Sequence, residues 1–211
     1  MLEVVNLECQ RGDRCLFSEL SFTLQRGELI HLHGHNGSGK TTLLRALCGL
    51  ILPTSGEIRW QGSAIDSLRE EFAANVTYIG HKGAIKGGLT ALENLQIASR
   101  LDGFAITEEH AWRALERIGL RGFEDLPTRV LSQGQKRRVA LARLLVNRAP
   151  LWVLDEPFVA LDRAAVGLLQ GVIADHVANA GMVMLTTHQE VSLTTGEVRQ
   201  LQLGVGALGH A

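Results

Sequence analysis

The stretch Gly34-His-Asn-Gly-Ser-Gly-Lys40-Thr41 lies between an apolar segment at residues 28–33 and an apolar-periodic one at 41–50. It fits G-x-x-x-x-G-K-[ST] in the setting that pattern requires, after a strand and at the opening of a helix. Glycines let the backbone curl so that successive N–H groups point inward at a phosphate, and the helix N-terminus adds its positive end. Gly34, His35, Asn36, Gly37, Ser38 and Gly39 are therefore the expected phosphate cradle, running into Lys40, Thr41 and Thr42. Lys40 is expected to bridge a β- and a γ-phosphate, and the Thr41 hydroxyl to hold Mg²⁺.

Outward from this loop the pattern alternates. Short strands are expected at 3–7, 20–24, 57–60 and 75–79, with turn chemistry at Pro53-Thr-Ser-Gly56. Residues 89–148 turn helical, with helices expected at 90–100, at 107–118 capped by Thr107, and at 134–147. Strand patterns return at 151–154 and 182–186 around an amphipathic helix at 163–179, and a weaker one at 198–203. Strands alternating with helices predict an α/β fold with a parallel sheet.

Composition bounds the function. The chain has 211 residues, 45% of them hydrophobic, which suffices for a full core. A formal net charge of −1 gives no field that draws in a nucleic-acid backbone or an anionic membrane. The opening residues carry neither the basic segment nor the apolar stretch of a signal peptide, and no run approaches the ~18–20 apolar residues of a membrane span. Cys9, Cys15 and Cys48 are odd in number and lack C-x-x-C spacing, which suits reduced thiols.

Leu151-Trp-Val-Leu-Asp155-Glu156 is an apolar strand ending in two carboxylates, the place where a parallel sheet presents its ligands. Asp155 is the expected Mg²⁺ ligand, through water. Glu156 is placed to polarise the water that attacks a γ-phosphate. His31, His33 and His35 alternate along the strand that feeds the loop, but no Cys or carboxylate supplies a third metal ligand at suitable spacing. Packing and loop support are their expected roles.

Leu131-Ser-Gln-Gly-Gln135 resembles the LSGGQ signature of the ATP-binding-cassette (ABC) family, and it lies between the phosphate loop and the Asp-Glu strand, as in that family. Ala160-Leu161-Asp162 resembles the family's D-loop, and His188 ends a strand where its switch His contacts the γ-phosphate. The resemblance implies an ABC-type P-loop nucleotide-binding domain. Its parts would be a RecA-like parallel-sheet core and an N-terminal antiparallel β part, about 1–81 and 149–211, and an inserted helical subdomain, about 82–148. It also implies a homodimer that sandwiches ATP, with Ser132, Gly134 and Gln135 of one chain against the nucleotide held by Lys40 of the other. Three departures stand out: His81 occupies the lid position of a Gln that reaches Mg²⁺ and the attacking water, Arg11 falls where an aromatic stacks on adenine, and Gln133 replaces a Gly. A neutral imidazole still offers one hydrogen bond, and a guanidinium can stack.

No N-K-x-D motif points to a guanine nucleotide, no long coiled coil separates two halves, and only one cassette is present. A free-standing nucleotide-binding subunit with a separate membrane partner remains. Tyr78-Ile-Gly-His81, Leu89-Thr-Ala-Leu-Glu-Asn-Leu95, Leu131-Ser-Gln-Gly-Gln-Lys-Arg-Arg138 and Leu151-Trp-Val-Leu-Asp-Glu-Pro-Phe158 resemble the ATP-binding subunits of the cytochrome c maturation haem-exporter system, the CcmA family. That resemblance implies ATP hydrolysis at the cytoplasmic face of a bacterial inner membrane, working integral-membrane permease subunits that handle haem. A groove including Lys82-Gly-Ala-Ile-Lys86 and Glu93 would receive the permease. A transporter ATPase of another substrate and a soluble ABC switch ATPase are the alternatives that share the cassette.

Overall fold

Buried side chains alternate with exposed ones along β1 (Leu2–Arg11) and β2 (Arg14–Leu24), which pair antiparallel from Leu2↔Leu24 to Arg11↔Arg14. This computed structural model describes residues 1–81, 83–189 and 198–204. Both strands outrun the expected 3–7 and 20–24, because a bulge hides their period: register shifts between Val4 and Leu7, where Asn6 turns to φ 47°. The Asn6 N–H donates to Ser21 Oγ (2.8 Å), so the extra residue stays bonded across the hairpin.

β3 (Leu29–His33) runs into the phosphate loop and α1 (Lys40–Leu47). α1 stops short of residue 50 because Gly49 takes φ +67° and the Leu50 N–H returns to the Arg45 carbonyl. β4 (Ser55–Trp60) pairs antiparallel with β1, and β5 (Ser63–Ala64) with β4, completing a four-stranded sheet in the order β2-β1-β4-β5. A short α2 (Arg69–Ala73), absent from the sequence expectation, leads to β6 (Val76–Ile79).

Among the described residues four α-helices separate β6 from the next strand: α3 (Ala91–Leu101), α4 (Glu108–Arg117), α5 (Gln133–Leu141) and α6 (Arg143–Val146). Each long one starts on a side-chain cap, Thr90 with Glu93, Thr107, and Ser132 with Gln135. The single helix expected at 134–147 is broken at Ala142, where the Leu145 N–H bonds back only three residues.

β7 (Leu151–Asp155), α7 (Arg163–Ala178), β8 (Met182–Thr186) and β9 (Val198–Gln202) follow. The second sheet is parallel throughout, in the order β6-β7-β8-β3-β9. Every residue of β7 and β8 is buried, as expected for strands covered on both faces. Leu151, Val153, Met182 and Met184 pack toward α1 and the antiparallel sheet, while Trp152, Leu154, Val183 and Leu185 join the core of α3–α7. The parallel sheet is thus the middle layer, and the loops after β3 and β7 open at one end of it.

His176 of α7 lies flat on Trp152, with ring centroids 3.6 Å apart and planes 5° from parallel, and its Nε2 is 3.3 Å from the Pro150 carbonyl. Burial pushes its pKa below the ordinary 6.5. Below pH 6.5 the unfolded chain therefore binds a proton that the folded chain resists, and stability falls with pH. In urea titrations below pH 6.5, His176→Gln should make that decline shallower, by at most about 1.4 kcal/mol per pH unit. An unchanged slope would place the proton-linked loss on other groups.

Candidate active site

The phosphate loop holds its shape through contacts that only glycine permits at two places. A Cβ on Gly34 would lie 2.5 Å from both the Leu203 carbonyl oxygen and Ser38 Oγ, and Gly39 takes φ +99° with Leu16 and Phe17 of β2 against it. Lys40 Nζ donates to the carbonyls of Gly34 (2.6 Å) and His35 (3.2 Å), so its ammonium lies across the mouth of the loop. The Ser38 N–H bonds to the His35 carbonyl, and Ser38 itself is buried.

At the end of β7, Asp155 is held on both oxygens. Thr41 Oγ1 donates to Oδ2 (2.8 Å) and Thr186 Oγ1 donates to Oδ1 (2.9 Å). The same Thr186 hydroxyl accepts the Glu156 N–H (3.0 Å). Glu156 then leaves the strand at φ 50°, a conformation uphill for a residue with a Cβ. Its carboxylate meets His188, with Oε1 3.4 Å from Nε2 and Oε2 accepting the main-chain N–H at 3.3 Å. A base candidate and a γ-phosphate contact candidate thus share one hydrogen-bonded cluster.

A cavity of about 540 Å³ gathers Arg11, Asn36, Gly37, Gly39, Lys40, Thr41, Thr42, His81, Asp155, Glu156 and His188. Gly34, His35 and Ser38 shape the loop without lining it. Leu16, Val159 and Gln189 also line the cavity and went unread in the sequence, since the hairpin register that puts Leu16 beside Gly39 is invisible without the fold. Thr186 was read only as a strand residue; a hydroxyl at the end of an otherwise apolar buried run was the available signal. His81 is exposed and lines a second cavity of about 430 Å³ as well, with Tyr78, Arg143, Thr41 and Asp155.

Ser132, Gly134 and Gln135 do not line either cavity. Ser132 Oγ accepts the Gln135 N–H, and Gln135 Oε1 accepts the Ser132 N–H, which fixes the start of α5. A Cβ on Gly134 would come within 2.7 Å of the Ala160 carbonyl oxygen, so α5 begins directly on the turn after Glu156. Of the expected permease groove, Glu93 is spent on capping Thr90, Lys86 is bound through its main chain to Asn94, and Lys82 lies outside the described residues.

His31 and His33 sit under the loop with ring centroids 3.7 Å apart, tilted 43°. Burial lowers the pKa of both, aided by His33 beside His31 and by Lys40 beside His33. His31 Nε2 is 3.4 Å from the Thr187 carbonyl, tying β3 to the segment that carries His188.

Comparison with known proteins identifies the family. The ABC transporter family model matches residues 17–159. The cytochrome c biogenesis ATP-binding export protein CcmA of Dechloromonas aromatica is 55% identical over 97% of this chain and 100% of its own length. Its namesake from Nitrosomonas europaea is 56% identical over 96% of this chain and 95% of its own. Among solved structures, the dimeric bacterial ABC transporter cassette MJ0796 superposes with a TM-score of 0.82 at 25% identity, covering 96% of this chain and 94% of that one. The chain belongs to the ABC transporter ATP-binding family of ATPases, and within it to the CcmA cytochrome c biogenesis export proteins.

Thr186→Val keeps the shape at the end of β8 but leaves the half-buried Glu156 N–H without an acceptor and frees one oxygen of Asp155. We expect a stability loss of about 1–3 kcal/mol in chemical denaturation and a fall of roughly tenfold in ATP turnover. Turnover equal to that of the parent chain would show that the hydroxyl does not hold the carboxylates in place.

Proposed function

We propose that this chain is the ATP-hydrolysing subunit of a cytochrome c biogenesis export complex, and that the cluster joining Lys40, Thr41, Asp155, Glu156 and His188 is its catalytic centre. The observation that carries the reading is the convergence of those side chains on one cavity, by hydrogen bonds that link the phosphate loop, β7 and β8. The Asn36–Thr42 backbone receives the phosphates, with Lys40 on the β- and γ-phosphates. Arg11 and Leu16, which line the cavity, take the adenine, by guanidinium stacking and apolar contact.

Thr41 Oγ1 and Asp155 Oδ2, 2.8 Å apart on the cavity wall, are the hard oxygen donors that suit Mg²⁺, and His81 approaches from the lid. The ion, when bound there, neutralises charge that develops on the γ-phosphate. Glu156 accepts a proton from the attacking water, and His188 fixes the Glu156 carboxylate and faces the γ-phosphate. Ser132, Gly134 and Gln135 lie off this cavity, and a dimer like that of MJ0796 would bring them to the nucleotide of a second copy.

The relatives are export proteins of cytochrome c biogenesis, which supports an integral-membrane permease as partner, haem as the cargo handled, and a peripheral place at the cytoplasmic face of a bacterial inner membrane. Among the described residues no helix is long and apolar enough to cross a membrane. The division into a core with β part, about 1–81 and 149–211, and a helical subdomain, about 82–148, belongs to the same reading.

Glu156→Gln keeps the shape of the side chain and removes the base. In purified protein it should retain ATP, lose turnover by about 10²- to 10⁴-fold, and accumulate as an ATP-bound dimer. In cells that depend on the chain, mature c-type cytochromes should disappear. Turnover near that of the parent would remove Glu156 from the mechanism; normal cytochrome levels with a dead ATPase would reject the export assignment and leave the ATPase standing.

A further inference from the structure

Arg137, at the middle of α5, is a buried cation, 7% exposed, whose bonds are to main chain. A guanidinium carries five N–H groups. Five carbonyl oxygens meet them: Pro157 at Nε (3.3 Å), Gly80 (2.8 Å) and His81 (3.4 Å) at Nη1, and Asp155 (3.0 Å) and Glu156 (2.8 Å) at Nη2. These carbonyls come from two segments remote in sequence, the lid after β6 and the turn that carries both catalytic carboxylates. Burial weakens the hold of Arg137 on its proton, and the nearby charges of Asp155 and Glu156 oppose that loss.

The bonds fall where the backbone needs them. Glu156 is held at φ 50°, and its peptide is braced on one side by Thr186 Oγ1, which accepts its N–H, and on the other by Arg137, which donates to its carbonyl. The next residue of the helix, Arg138, donates to Asp162 Oδ2 (2.5 Å) and to the Gly119 carbonyl (3.1 Å), and Gly134 rests on Ala160. Three contacts of α5 therefore grip the segment 155–162, and of these three Arg137 also bonds the carbonyls of Gly80 and His81.

We propose that Arg137 is a positioning residue for ATP hydrolysis, whose five-fold bonding holds the signature helix, the lid bearing His81 and the main chain bearing Asp155 and Glu156 in one fixed arrangement. No other side chain can replace it: a lysine has three donors on a single atom, a glutamine two, and neither spans carbonyls on both segments. Without the brace, Glu156 relaxes toward an ordinary backbone conformation and its carboxylate leaves His188. No bond of Arg137 reaches residues 34–42, and its link to that loop is indirect, through Asp155 to Thr41.

The test compares Arg137→Lys and Arg137→Gln in the full chain, measuring steady-state ATPase, equilibrium ATP affinity and thermal midpoint together. Both variants should keep ATP affinity within about threefold while kcat falls by about 10²-fold, and the charge-conserving lysine should rescue no more than the glutamine. The inference rests on the site reading above, so Lys40→Ala is run alongside: ATP binding and turnover that survive it overturn that reading, independently of Arg137. Folded Arg137 variants with kcat within about threefold of the parent overturn the inference. So do variants in which both unfold or lose ATP affinity in step with kcat, since Arg137 would then serve the fold alone.

Discussion

The carboxylate of Asp155 is the point on which this structure closes. It ends β7 fully buried, in a place where an unpaired charge would be costly, and it is compensated by two threonine hydroxyls from opposite directions, Thr41 at the first turn of α1 and Thr186 at the end of β8. The parallel register that sets Asp155 against Thr186 is the last rung of the β7–β8 ladder. The geometry of the phosphate loop is therefore tied to the sheet at both ends, by β3 covalently and by Thr41 through Asp155. A hydroxyl that bonds a carboxylate is also a pair of oxygens at the spacing a hard cation requires, so on the proposed reading one contact would serve both the fold and the chemistry.

From that point the helical layer acquires its meaning. The core of α3–α7 packs on the face of the parallel sheet that presents Trp152, Leu154, Val183 and Leu185, which brings the start of α5 over the turn that follows β7. There the contacts are polar and close, Gly134 on Ala160, Arg138 on Asp162, and Arg137 on three consecutive carbonyls. A helix seated by apolar burial alone can slide by small amounts; one hydrogen-bonded to the main chain of residues 155–157 cannot slide without breaking those bonds. The signature helix and the carboxylates are in this sense one mechanical part.

The parts of this architecture legible in the sequence were those in which a local rule carries the outcome. The loop from Gly34 to Thr41 announces itself by glycine spacing, β7 and β8 by unbroken apolar runs, and α4 by its Thr107 cap. The bulge at Asn6 was hidden because a register shift erases the period-two signal that strands are read by, and the break at Ala142 because alanine favours helix and marks no boundary. In the site, Lys40, Asp155 and Glu156 carry motifs, whereas Leu16, Thr186 and Arg137 act through partners 18 to 57 residues distant. Arg137 to Gly80 spans 57 residues and Glu156 to Thr186 spans 30, separations at which no motif reports.

The lid illustrates how those two kinds of residue meet. Thr41, His81 and Asp155 line both the nucleotide cavity and the second cavity behind it, so they form a shared wall. On the far side that wall faces Tyr78 and Arg143, and Arg143 is paired with Asp102 at the end of α3 (2.8 Å). A displacement of His81 on the nucleotide side necessarily changes the shape of the other cavity. The carbonyl of Gly80, just before His81, is pinned by Arg137 at 2.8 Å, so such a displacement turns about a fixed residue instead of translating the whole segment.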